Sequence, residues 1–360
     1  MTSSEDILNT GKYSSVNGSY ALISPCAGAS LRGRYEPSRN GHILAGMNEP
    51  TELATPALSV GMLIGRQRAR AEHSLQCLLE QPEPLEILVG DLTPGEGPLR
   101  GFADPCVRVI ELENHHMGSG MARLVEEARA PLIALIEDHC YAAPGWAAGV
   151  LRAFARPEVA IVSYAIRDAG PETWLTRSFL FTEYGRWMDP AREGPVAIAA
   201  LNNVAYRRSV LLRKTDLPRR MEGAHALHRE IQREGGVAWL AADAIAAHQD
   251  WLSFLEGCRA NGILKRAYAG SKVQEGLGWP GRLVHAAAML LAPALHLGRL
   301  GWSVRNRPRL WTTFFTSLPV SVPVYVYASY QEALGYLFGV GTSLDDFVEM
   351  EVDTARSSER

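Results

Sequence analysis

Between residues 58 and 136, short unbroken apolar runs alternate with stretches whose apolar residues recur at helical spacing. No other feature constrains the fold as much. LSVGMLI at 58–64, LEILV at 85–89, the run at 107–110 and LIALI at 132–136 suit strands buried on both faces. Between them, 66–81 sets Ala69, His73, Leu75, Leu78 and Leu79 near helical spacing, and 121–130 reads as a second helix. Strands alternating with helices imply crossover connections, so the expected fold is α/β: a mostly parallel sheet flanked by helices. Such sheets bind ligands at the carboxyl ends of their strands. Two acidic features fall there, Asp91 after the second strand and Glu137-Asp138-His139 after the fourth.

Composition removes several classes. Thirty-six basic residues against 39 acidic ones give a net charge of −3, so no global basic field exists to hold a nucleic acid. Cys26, Cys77, Cys106, Cys140 and Cys258 are scattered, with no CxxC pair. That excludes a disulfide framework and a cysteine-built zinc site, and predicts a reducing compartment. Residues 1–55, rich in Ser, Gly, Asn and Pro, are expected to form a mostly disordered arm with one short strand at 20–23. No basic stretch followed by an apolar run opens the sequence, so a secretory leader is not expected.

The composition changes again after Lys265. The run 283–300 is apolar but interrupted by His285, Pro293, His296 and Arg299, and 310–330 carries no charge over about 21 residues. The second run could cover a bilayer core of ~30 Å, but Pro319 and Pro323 would break a simple helix. Trp302, Trp311, Tyr325, Tyr327 and Tyr330 suit a membrane interface, and Arg299, Arg305, Arg307 and Arg309 suit anionic headgroups. The expectation is a helical, membrane-associated region over 273–342, with helices lying in or re-entering one leaflet. A helical subdomain packed on the sheet is the alternative. The acidic end, 343–360, is expected to be disordered.

Five segments, in order across about 57–270, resemble the family-two glycosyltransferases, enzymes of the A-type nucleotide-sugar fold. They are LSVGMLIGRQRARAEHSLQCLLEQ, EILVGDLTP, ENHHMGSGMARLVEEARAPLIALIEDHCYAAPGW, LNNVAYRRSVLL and LHREIQREGGVAWLAADAIAAH. The resemblance implies a catalytic domain over 56–272 that takes a nucleotide-diphosphate sugar. Asp91 then falls where the family contacts the nucleoside, and Glu137-Asp138-His139 replaces its D-x-D motif. Asp138, His139 and His248 become candidate ligands for Mn²⁺ or Mg²⁺. Glu137, Asn203 and Arg207 join Asp91 and Asp138 as candidate donor contacts. The family's E-D pair, which deprotonates the acceptor hydroxyl, would fall near Gly223 and Ala224, neither acidic, so Glu222 or His225 is the expected base.

The function so implied is an inverting transfer to a hydroxyl or lipid-linked acceptor (a glycan or lipid) at the cytoplasmic face of the plasma membrane, in polysaccharide or glycolipid synthesis. The alternative is a degenerate, non-catalytic homologue acting as scaffold or sugar-nucleotide sensor. A nucleotidyltransferase is disfavoured, because IGRQRAR lacks the glycine-rich phosphate loop.

Overall fold

Leu58, Val60, Met62 and Ile64 alternate along the first strand and are all buried on one face of a sheet, while Gly61 abuts Leu124 and Leu135. A strand with an apolar partner on each face must lie inside a layered α/β structure. The computed structural model describes residues 56–96, 104–112, 116–170, 173–222, 224–250 and 253–353. The arm expected over 1–55, its strand at 20–23 and the last residues, 354–360, lie outside them.

The chain runs β1 (Leu58–Ile64), α1 (Arg68–Leu79), β2 (Leu85–Asp91), β3 (Val107–Glu111), α2 (Met117–Glu127), β4 (Leu132–Leu135), β5 (Cys140–Ala142), α3 (Trp146–Phe154) and β6 (Val159–Asp168). It continues through α4 (Trp174–Tyr184), β7 (Gly194–Pro195), β8 (Val204–Arg207), α5 (Arg208–Leu212), α6 (Leu217–Glu222), α7 (Ala224–Arg233) and β9 (Val237–His248). These strands form one sheet in the order β3-β2-β1-β4-β8-β6-β9-β5, with β7 beside β9. One core fills the α1/α3 side, the other the α2/α7 side.

Mixed α/β with a central sheet flanked by helices therefore holds, but "mostly parallel" does not. β3, β2, β1 and β4 are parallel, as are β6 and β9; β8 runs against both β4 and β6, and β5 and β7 against β9. The reason is connection geometry. β8 is reached by a loop after α4 rather than by a crossover helix, so it enters at the carboxyl edge of β4 and runs backwards. Its first residues consequently lie at the ligand-binding rim and its last at the opposite edge.

The remaining helices are α8 (Phe254–Gln274), α9 (Trp279–Ala288), α10 (Ala292–Val304), α11 (Pro308–Phe338) and α12 (Ser343–Val348). Residues from Leu53 onwards form one compact unit, and α8 runs across the boundary expected at 272/273. Two expectations are corrected here. Pro319 and Pro323 do not break α11, which is continuous over 31 residues. The end is not wholly disordered either: α12 and a π-helical turn (Glu349–Asp353) form, and the carbonyl of Val352 accepts the Arg66 N–H at 3.0 Å.

Candidate functional site

The loops that leave the carboxyl ends of β1, β2 and β4 meet the start of β8 and the end of β9. Asp91 closes β2, paired with Ile64 of β1. Its Oδ1 accepts the Thr93 N–H at 2.8 Å, and its Oδ2 accepts Arg68 of α1 at 2.9 Å. Arg68 also reaches the Thr93 carbonyl at 2.7 Å, yet its Nε and other Nη are buried without partners. Arg70, two residues on, donates through Nε to Asp138 Oδ2 at 2.9 Å. The first turn of α1 thus clamps the β2 and β4 carboxylates to one rim.

Glu137 is the hub of this rim. Its Oε1 accepts Asn202 Nδ2 at 2.7 Å; its Oε2 accepts Asn203 Nδ2 at 2.6 Å and the Tyr184 hydroxyl at 2.9 Å, with His248 Nε2 at 3.4 Å. Asn203 is locked in return, its Oδ1 accepting the Glu137 N–H at 3.2 Å. His139 holds Asp138 Oδ1 through Nδ1 at 2.9 Å and packs edge-on against His248, ring centroids 4.7 Å apart. His248 ends β9 opposite Cys140, which brings a residue more than a hundred positions away to the same edge.

The electrostatics follow from this packing. Burial works to raise the Glu137 pKa, but the His248 contact, the charges of His139 and His248 and the Tyr184 hydroxyl outweigh it, so the carboxyl is held far below its usual range. Burial likewise works to lower His139, but Asp138 and the charge of Glu137 outweigh it and lift the imidazole to about 9. Burial, then the Glu137 charge, pushes the Tyr184 phenol well up, so it stays a donor.

One donor atom each from Glu137, His139 and His248 lies within 4.8 Å of the others. The His248 Nδ1 is buried with no partner, while the Glu137 and His139 side chains keep 18% and 14% of their surface open. The His248 Nε2, 3.4 Å from the accessible Glu137 carboxylate, and the neighbouring His139 ring make a donor set that fits a divalent ion. The nitrogen-rich set suits Mn²⁺ better than Mg²⁺. His139 and His248 were expected among the ligands and Glu137 was not. Asp138, also expected among the ligands, lies outside this triad; its oxygens are engaged by Arg70 and His139, so it orients the His139 ring.

Arg207 is also corrected. Because β8 runs antiparallel to β4, Arg207 pairs with Leu132 at the far edge of the sheet. There its guanidinium donates to the carbonyls of Val159, Phe154 and Arg156, each at 2.8 Å. Glu222 and His225 lie on either side of residue 223, at the end of α6 and the start of α7. Glu222 ends α6 against Gly118, in the first turn of α2, where a Cβ would have no room. Burial, partly offset by His116, raises its pKa. His225 opens α7, and burial followed by the charges of Lys265, Arg229 and Arg186 pushes it down to about 4. Sequence reasoning missed Arg68, Arg70, Tyr184 and Asn202. The alternating arginines of GRQRAR were the available signal for the first two; nothing local marked Tyr184.

The family described as Glycosyl transferase family 2 matches residues 67–231. Two solved structures are among those the chain matches. GalNAc-T7 with UDP, GalNAc and Mn²⁺ is 13% identical, with a TM-score of 0.42, over 55% of this chain and 44% of that one. Mannosyltransferase PcManGT from Pyrobaculum calidifontis, in complex with GDP-Man and Mn²⁺, is 16% identical, with a TM-score of 0.48, over 81% and 91%. The chain thus spans less than half the length of the first. No curated protein sequence matches.

Proposed function

We propose, from the premise that residues 67–231 form a family 2 glycosyltransferase domain, that this transferase passes a sugar with inversion from its nucleotide-sugar donor to a hydroxyl or lipid-linked acceptor at the cytoplasmic face of the plasma membrane. The observation that carries the donor side is the single rim on which Asp91, Arg68, Arg70, Glu137, His139 and His248 converge, all but His248 inside the matched segment. Asp91 accepts hydrogen bonds from the nucleoside, and the free nitrogens of Arg68 donate to it or to the diphosphate.

Glu137, His139 and His248 would hold the divalent ion, Mn²⁺ before Mg²⁺, which supplies positive charge to the departing diphosphate. Asp138 and Arg70 keep His139 in register, and Tyr184 with Asn202 and Asn203 fixes the Glu137 carboxylate. Inversion requires the acceptor oxygen to approach the anomeric carbon opposite the diphosphate. With a hydroxyl acceptor, Glu222, whose pKa burial raises, takes the proton.

Support for a membrane setting comes from α11. Its protein-facing side carries Thr313, Ser317, Ser321 and Ser329, while Phe315, Val326, Tyr330 and Phe338 are exposed. Leu310, Val320, Val324, Ala328 and Tyr336 are buried on it as well, so the support lies in the exposed apolar residues, which suit an apolar surround. Among the described residues no single helix is long and apolar enough to cross a membrane; α9 and α10 together would be, bent by 57°. Helices lying in one leaflet match this better than a crossing. Synthesis of polysaccharide or glycolipid is the corresponding role.

The missing E-D pair favours the second reading, a scaffold or sugar-nucleotide sensor. Thermal unfolding with UDP or GDP, with and without Mn²⁺, and assay of nucleoside diphosphate release from a panel of nucleotide sugars decide between them. Stabilisation with release is expected. Stabilisation without release would leave a sensor, and neither would end the catalytic reading.

A further inference from the structure

The last carbonyls of a helix have no donor within it, so the end of α4 needs partners from elsewhere. It finds them on the C-terminal helices. The Tyr325 hydroxyl of α11 donates to the Thr182 carbonyl at 2.9 Å, and Ser321 Oγ lies 2.8 Å from Thr182 Oγ1. Just past the helix end, Arg307 spans the turn: Nη2 donates to the Gly185 carbonyl at 2.6 Å and Nη1 to the Met188 carbonyl at 3.0 Å. Nη2 also reaches the Ser303 carbonyl at 3.1 Å, which ties the turn to the last residues of α10. Gly185 has no room for a Cβ beside Leu300, so α10 itself closes on this turn. A guanidinium at a helix C-terminus also meets the negative end of the helix dipole. Arg307, Ser321 and Tyr325 all lie beyond residue 231, where the family match ends.

Tyr184 is the last residue of this helix, and it is the one that touches the rim. Its hydroxyl donates to Glu137 Oε2 at 2.9 Å and accepts Asn203 Nδ2 at 3.1 Å, while its ring lies against His248, centroids 4.9 Å apart. Glu137 and His248 belong to the candidate metal triad. A tyrosine side chain turns about only two bonds, so the place of its hydroxyl follows the backbone of that last turn.

We propose that Arg307 and Tyr325, with Ser321, are positioning residues for the metal rim: they hold the end of α4, and through it Tyr184, against Glu137 and His248. This rests on the metal reading above. With the turn released, Glu137 Oε2 would keep Asn203 but lose the phenol, and His248 would lose the ring beside it. Outer partners of this kind orient metal ligands and tune their affinity. The C-terminal helices thereby complete the donor-binding domain, because the rim is held in shape from both sides of the family match.

The test uses the full chain and two readouts: Mn²⁺ affinity by calorimetry and, without metal, the Cε1–H resonance of His248 in ¹³C-histidine-labelled protein, assigned with His248→Gln. Tyr184→Phe should weaken Mn²⁺ about 10-fold, as loss of an outer partner does. Arg307→Gln and Tyr325→Phe should each weaken it about 3- to 10-fold and move the His248 resonance, since the ring current on His248 follows the place of Tyr184. Arg307→Gln added to Tyr184→Phe should weaken Mn²⁺ by much less than the product of the single effects, because both act through one side chain. Arg207→Ala, at the far edge of the sheet, is the control for lost stability: a lower Tm with Mn²⁺ affinity and resonance unchanged. Tyr325→Phe removes a single hydroxyl and keeps the test open should Arg307→Gln not fold. Two results would overturn the assignment. A fall in Tm with Mn²⁺ affinity and resonance unmoved would make the grip on α4 structural only, and multiplicative losses in the pair would mean that Arg307 acts by another route. A parent protein that takes up no Mn²⁺ would end the metal reading, and the His248 resonance would still decide whether these residues place Tyr184.

Discussion

Glu137 shows how a single side chain can organise a site: four partners converge on its two oxygens from three places, the residues just before β8, the end of α4 and the end of β9. Glu137→Gln keeps the shape and removes the charge. Mn²⁺ affinity, followed by calorimetry, should then fall at least tenfold, since even outer partners of metal ligands are worth 10–100-fold. His139 supplies a pH signature. Its pKa is raised, despite burial, to about 9, so the metal-free protein carries a proton there that a metal must displace. Between about pH 6.5 and pH 9, Mn²⁺ affinity should rise by up to about tenfold per unit, with protons released on binding; a flat profile would remove His139 from the ligand set. The same shift stabilises the metal-free fold fully below about 6.5, and that contribution is lost as pH rises through about 9. Arg207 gives the contrast. Arg207→Ala strands three buried carbonyls at the far edge, at a cost of about 1–3 kcal/mol, so Tm should drop while turnover per folded molecule is unchanged. The sequence made Asp91, His139 and His248 legible because strand ends are readable from apolar runs. It misassigned Arg207 because the direction of β8 is a long-range fact, invisible in NNVAYRR.

At the scale of elements, local signals fail where packing overrides them. α2 begins at Met117, earlier than the expected 121, because Gly118 and Gly120 are helical: each lies where α6 or Leu63 leaves no space for a side chain. Two prolines inside a helix cost about 3 kcal/mol or more each in isolation. α11 nevertheless stays continuous because its buried face is committed elsewhere, with Val320 and Val324 on Phe179 and Ser321 Oγ on Thr182 Oγ1 at 2.8 Å. A pair of glycines separates propensity from packing. Gly298 in α10 has nothing within 4 Å of its missing Cβ, so Gly298→Ala should stabilise by up to about 1 kcal/mol. Gly257 in α8 lies directly on the Phe179 ring. The same propensity gain at Gly257→Ala is set against about 1–3 kcal/mol of overpacking, and Tm should fall. A rise in Tm at Gly257→Ala would mean that α8 and α4 are not in close contact.

Over the whole molecule, polar chemistry gathers at one sheet rim while large apolar side chains gather on the C-terminal helices. The α9–α10 bend presents Leu290 and Leu291 at 84% and 67% exposure, flanked by Leu283, Val284 and Trp302. Of the arginines expected to meet headgroups, Arg307 is excluded, since it donates to the carbonyls of Gly185, Met188 and Ser303; Arg305, over the Trp302 ring, and Arg309 remain exposed. Magnitudes decide which group dominates. Burying a leucine is worth about 1.5–3 kcal/mol, and an arginine near an anionic surface about 1 kcal/mol, screened by salt. If the bend enters a leaflet, Leu290→Glu with Leu291→Glu should therefore cut binding to phosphatidylglycerol vesicles at least 100-fold, whereas Arg305→Gln with Arg309→Gln should cut it about 10- to 30-fold and only at low salt. Vesicle co-sedimentation across a salt series reads both. Equal loss in the two double variants would make the attachment electrostatic, and no loss in the leucine pair, with a concentration-dependent dimer in solution, would assign the apolar face to a second copy of the chain.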